Sequence, residues 1–103
     1  MPILHPGFRH ARANPSTAQT NLNIIALDAN SLVNVAFVYL SSDTEMTFTL
    51  LNSVSNTVIW RQYVGARGGQ GVPAVITSLW GEGVDYTTSV DGNIYIDLEW
   101  IHS

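Results

Sequence analysis

The sequence predicts an all-β protein: a two-sheet antiparallel β-sandwich, jelly-roll-like or immunoglobulin-like, with an extended N-terminal arm. Three observations carry that expectation. From Asn21 onward, apolar and polar residues alternate with the period of two that half-buries a strand. The alternating runs are short, recur about every 8–13 residues and are separated by turn residues, as in a sandwich. The lead contains Pro2, Pro6 and Pro15, which cannot donate to a ladder, and no segment shows a helical period.

Taken in order, NLNIIAL (21–27) runs into the turn DANS, and VNVAFVYL (33–40) places Val33, Val35, Phe37 and Tyr39 on one face. MTFTLL (46–51) follows the turn SSDTE and alternates cleanly, with Met46, Phe48 and Leu50 on one side. TVIWRQYV (57–64) comes after the loop NSVSN, and GARGGQG reads as a flexible loop with Arg67 displayed at its tip. VPAVITSL (72–79) carries Pro73, so it is expected to start at an edge or to pair only beyond the proline. WGEG turns the chain into VDYTTSV (84–90), and Asp91-Gly92 with Asn93 behind it signals a hairpin into IYIDLEWI (94–101). The last run should bury Ile94, Ile96, Leu98 and Trp100 and expose Tyr95, Asp97 and Glu99. These seven strands are expected to share one core through Val35, Phe37, Phe48, Trp60, Ile76, Tyr86, Ile96 and Trp100.

Composition narrows the function classes. At 103 residues and 46% apolar, the chain is long enough for one small core and too apolar for a disordered polymer. It has no cysteine, which removes disulfides, thiolate-bound zinc and thiol nucleophiles together. It also has no lysine. Residues 1–20 hold Arg9 and Arg12 and no acid, whereas residues 21–103 hold two arginines against eight acids, for a net charge of −4. An acidic body without lysine is a poor partner for phosphate backbones, so nucleic-acid binding is not expected. No apolar run approaches the ~20 residues of a membrane span, and the prolines and charges of the lead interrupt a secretory or mitochondrial signal. Charged residues make up only 12% of the chain, about half the usual globular share, and such a surface suits protein contact.

No catalytic, cofactor or metal site is expected. GARGGQG has the glycines of a phosphate cradle, but a strand follows it where a helix N-terminus would be needed. His5, His10 and His102 lie in the lead and at the chain end, where nothing holds them in coordination geometry with Asp97 or Glu99. No Gly-x-Ser-x-Gly elbow occurs, and those three histidines are poorly placed for a serine triad. Among Trp60, Tyr63, Trp80, Tyr86, Tyr95 and Trp100, Trp80 is a candidate exposed contact because it sits in the WGEG turn, and such aromatics could stack on sugar rings.

The lead is read as an arm (1–20) in front of the sandwich domain (21–103). Ile3, Leu4 and Phe8 are wasteful in a solvated tail, so they are expected to seat in apolar clefts of a neighbour, with Arg9 and Arg12 pairing with its acids. A proline-broken arm, MPILHPGFRHARANP, followed by a compact sandwich from NLNIIAL to IYIDLEWI, resembles the small decoration, or cement, proteins of tailed-phage capsids. The resemblance is architectural and carries no diagnostic motif. It implies a non-enzymatic structural subunit on the virion surface, commonly a homotrimer, that clamps a shell protein with its arm and needs no cofactor. A subunit of an extracellular β-sandwich filament or appendage is the alternative, and a carbohydrate-binding module the second.

Overall fold

The computed structural model describes residues 8–66 and 68–103. Among them the chain forms eight strands and no helix: β1 (Arg9–Ala13), β2 (Leu22–Ile25), β3 (Val33–Ser42), β4 (Met46–Asn52), β5 (Val58–Val64), β6 (Gly68–Thr77), β7 (Val84–Thr88) and β8 (Ile94–His102). First pairs with last and so on inward: β1 with β8, β2 with β7, β3 with β6, β4 with β5, all antiparallel. This nesting is one long hairpin. It is rolled so that β3 also joins β8 and β4 joins β7, giving sheets β1-β8-β3-β6 and β2-β7-β4-β5. That winding is a jelly roll, the first of the two sandwich topologies the sequence left open. Only β4 and β5 are joined by a turn within one sheet; every other connection crosses between sheets.

The core lies between the two sheets. The inward set expected of β8 is buried, as are Met46, Phe48 and Leu50 of β4. Phe48 stacks on Tyr86 with ring centroids 6.0 Å apart and meets the edge of half-buried Trp60 at 6.3 Å. Each such side chain contributes about 1.5–3 kcal/mol by leaving water. The expected core differs at Phe37. The register of β3 against β8 skips Ala36, so Val35 pairs with Trp100 and Phe37 with Glu99. This bulge flips the parity: Val33 and Val35 point inward before it, Val38 and Leu40 after it, and Phe37 and Tyr39 face out.

The outward rings find room on the edge strand. A Cβ at Gly71 would stand 2.6 Å from the Phe37 ring, and one at Gly69 would stand 2.7 Å from the Tyr39 hydroxyl. The glycines that read as a loop therefore serve as a strand whose missing side chains let aromatics lie across it. Residues Gly68–Gly71 are corrected from loop to strand on that ground, while Arg67 lies outside the described residues. Pro73 sits on β6, an edge strand as expected, opposite Phe37 where the register breaks.

Two further expectations are corrected. The Asp91-Gly92 turn does not close a hairpin between paired strands, because β7 and β8 belong to different sheets. Gly92, at φ +151°, instead lets the chain cross the end of the sandwich beside Thr44. The larger correction concerns the arm. Arg9–Ala13 is a regular strand that closes the edge of its own sheet against β8, so the sandwich begins at Arg9 and not at Asn21. Pro6 and Pro15 flank this strand and do not interrupt it, and Ala11 and Ala13 supply its inward face.

Candidate functional site

One end of the sandwich is built by the loops 26–32, 53–57 and 78–83 together with the chain end. The 53–57 turn and the 78–83 loop are fastened to each other by side chains that the sequence reading did not single out. Asn52, only 2% exposed, receives the Leu79 N–H on its Oδ1 (2.8 Å) and donates from Nδ2 to the Thr57 hydroxyl (2.6 Å). Ser53 Oγ accepts the Gly83 N–H at 2.8 Å, and Ser53 N–H donates back to the Gly83 carbonyl at 3.1 Å. Glu82 Oε1 accepts the N–H groups of Val54 (2.9 Å) and Ser55 (2.8 Å) and the Ser55 hydroxyl (3.1 Å). Gly81 N–H reaches the Ser31 carbonyl at 2.8 Å and ties in the 26–32 loop.

These donors have an electrostatic consequence. The Ser55 N–H, followed by the Val54 N–H, outweighs desolvation and holds the Glu82 carboxyl below its ordinary 4.5. A depressed folded-state value stabilises the fold above the unfolded pKa and loses that contribution as pH falls through the folded one. Glu82→Gln is therefore expected to lower Tm modestly at neutral pH. The difference from wild type should shrink as the pH is taken below about 4.5. Thermal melts of both proteins across an acid series measure it, and a difference independent of pH would contradict the clamp.

On this fastened framework the large apolar side chains point to solvent. Leu27 is 51% exposed, Val54 63%, Leu79 53% and Trp80 64%. Trp80 is thus exposed as its turn position suggested, and Leu79 next to it and Leu27 and Val54 on the loops tied to its own are exposed too. The remaining aromatics form no common platform with it. Tyr86 and Trp100 belong to the core, Tyr63 is exposed on β5 in the other sheet, and Tyr95 lies on the outer face of β8.

The arm residues are placed differently from expectation. Ile3 and Leu4 lie outside the described residues, and Phe8 is half-buried at the entry to β1. Arg9 sits over the Trp100 ring of its own chain, 5.7 Å from the centroid. Arg12 Nε donates to Asp97 Oδ2 at 3.3 Å, and His10 Nδ1 lies 2.9 Å from the other oxygen of that carboxylate. Both arginines are engaged within the chain, Arg9 with Trp100 and Arg12 with Asp97. These contacts are surface-exposed, where an ion pair contributes about 0–1 kcal/mol, so they specify the register of β1 more than they stabilise it.

The histidines do different work from one another. His102 Nδ1 lies 3.0 Å from Ser31 Oγ, and its ring meets the edge of Trp100 at 4.8 Å. Ser31 is only 9% exposed, and reciprocal backbone bonds between Leu32 and Ser103 join the same two segments, so the pair acts as a tether for the chain end. Among the described residues, no group of three or more His, Asp or Glu side chains is placed to hold a metal ion. No protein-family model matches the chain, and no curated protein or solved structure matches it.

Proposed function

We propose that this chain is a non-enzymatic structural subunit that works by contact, assembling with copies of itself and seating on a shell protein as a capsid decoration protein does. The observation that carries the reading is the apolar end of the sandwich. Leu27, Val54, Leu79 and Trp80 are exposed on loops held in place by Asn52, Ser53 and Glu82. Large apolar groups on a preorganised framework lose little conformational freedom when covered, so their burial appears as affinity. Trp at the centre of such a surface is the usual energetic anchor. The low charge content supports the same reading, because few ions need to be desolvated on contact.

Within this proposal the contact surface moves from the arm to the loops. Arg9 and Arg12 make contacts within their own sheet, and the apolar end is exposed for another subunit. The test is the mass of the full chain in solution by size exclusion with light scattering, for wild type and for Trp80→Arg. An oligomer is expected for wild type. Trp80→Arg should weaken association by roughly tenfold to a hundredfold, the loss of one anchor residue, while the dilute protomer keeps the wild-type circular dichroism spectrum. A wild type that stays monomeric at every concentration, or an oligomer indifferent to the substitution, would overturn the reading. The filament alternative separates from it by the product of assembly: closed oligomers of fixed mass for a decoration subunit, open-ended growth for an appendage.

A further inference from the structure

At the opposite end of the sandwich the chain forms a second surface of different chemistry. Asn14, Ser41, Ser42, Asp43, Asn93 and Tyr95 line an open cleft of about 350 Å³. Three segments distant in sequence meet there: the exit from β1, the turn after β3 and the entry to β8. Backbone bonds fix them to one another, from Asp43 N–H to the Asn93 carbonyl (3.1 Å), from Ile94 N–H to Pro15 (3.2 Å) and from Gly92 N–H to Ser16 (3.1 Å). Asp43 is held by the Thr44 hydroxyl (2.7 Å) and the Asn93 N–H (2.9 Å) on one oxygen and by the Asn93 side-chain amide (3.0 Å) on the other. The framework is thus rigid before any ligand arrives.

The groups left over define what would fit. The Asn14 amide, the Ser41 hydroxyl and the Tyr95 hydroxyl make no hydrogen bond among the described residues, so the cleft offers donors and acceptors that are not yet used. The Tyr95 ring forms an aromatic wall, steadied by the edge of Tyr39 at 6.1 Å. An apolar ligand would leave the amide and hydroxyls unpaired. A metal ion would find a single carboxylate whose two oxygens already accept hydrogen bonds. A pyranose ring presents a C–H face for the tyrosine and a rim of hydroxyls for the polar groups. The lining contains Asp43 and no cationic side chain, which disfavours sugars that carry a carboxylate.

From this arrangement we infer that the cleft between Asn14, Asp43 and Tyr95 binds a neutral saccharide, a second contact function separate from the apolar end. The full chain is applied to an array of immobilised neutral, sialylated and uronate-terminated glycans, and a retained glycan is then titrated against labelled protein by NMR. Retention of neutral glycans is expected, with shifts confined to residues 14, 41–43 and 93–95. Tyr95→Ala should weaken binding about tenfold or more through loss of the ring, whereas Tyr95→Phe should keep most of it. Trp80→Arg, which tests the assembly reading, should leave glycan affinity unchanged. Melting curves check that each variant is folded. Failure to retain any neutral glycan, preference for the anionic ones, shifts centred on Trp80, or a Tyr95→Ala variant that is folded and binds normally would each overturn the inference.

Discussion

Deleting residues 1–15 is expected to abolish cooperative folding, whereas deleting residues 1–7 should leave a folded domain. The longer deletion removes β1 entirely, and with it the partner of β8 from Ile96 to Trp100. The chain then exposes the edge of a strand whose inward residues are the centre of the core, withdraws Ala11 and Ala13 from that core, and uncovers Trp100, over which Arg9 lies. It also removes the acceptor carbonyl of Pro15, to which Ile94 donates. The total stability of a small domain is only about 5–15 kcal/mol, and losing one of eight strands in a closed nest takes a large fraction of it. Urea titration followed by circular dichroism distinguishes the cases. A chain starting at Ser16 that unfolds as sharply as wild type would mean that β1 is an accessory and not part of the sandwich.

Phe48→Ala carries the second large effect, a destabilisation of about 3–5 kcal/mol. Phe48 has no exposed surface, stacks on Tyr86 and is met by the edge of Trp60, so its removal opens a cavity between sheets that the neighbouring strands cannot close without breaking register. Phe37→Ala is the informative companion. The alternation read straight through β3 places Phe37 in the core, but the bulge at Ala36 turns it outward over Gly71. Its truncation should cost no more than about 2 kcal/mol, because much of the ring is already in water and no internal cavity forms. Equal losses at the two positions, measured by chemical denaturation, would contradict the parity change.

The contrast between these two phenylalanines shows what could be read in advance. On β4 and β8, one parity is apolar throughout and the other is mostly polar, so the face toward the core was legible from the sequence alone. On β3 both parities are apolar from Ala36 onward, and a single extra residue exchanged them without leaving a compositional trace. The first strand was hidden for another reason. Its inward residues are Ala11 and Ala13, which carry little hydrophobic signal, and prolines stand close on both sides. Its partner could have been suspected from charge: an acid-free lead and two acids on one face of the last strand become Arg12 and His10 opposite Asp97 and Glu99. Gly69 and Gly71 concealed β6 because glycine is a loop signal unless something large must pass over it.

The functional surfaces divide in the same way. Trp80 could be singled out because a tryptophan in a Gly-rich turn has few neighbours in sequence to cover it. Its companions Leu27 and Val54 come from other loops and join it only through the jelly-roll winding. Of the saccharide cleft only Tyr95 was legible, as one of several aromatics able to stack on a sugar ring; the cleft itself gathers residues near positions 14, 42 and 94 and contains no motif. Tyr95 was visible as an outward residue of β8, but the polar groups around it belong to turns whose meeting depends on the nesting of β1, β3 and β8.

The most direct test of contact through the apolar end is hydroxyl-radical footprinting of the full chain across a concentration series. Oxidation of Leu27, Val54, Leu79 and Trp80 is expected to fall together as assembly proceeds, while Val75, fully exposed on the β6 edge, keeps its dilute-solution rate. Assembly that leaves Trp80 as reactive as in the dilute monomer, with protection appearing elsewhere, would contradict the account.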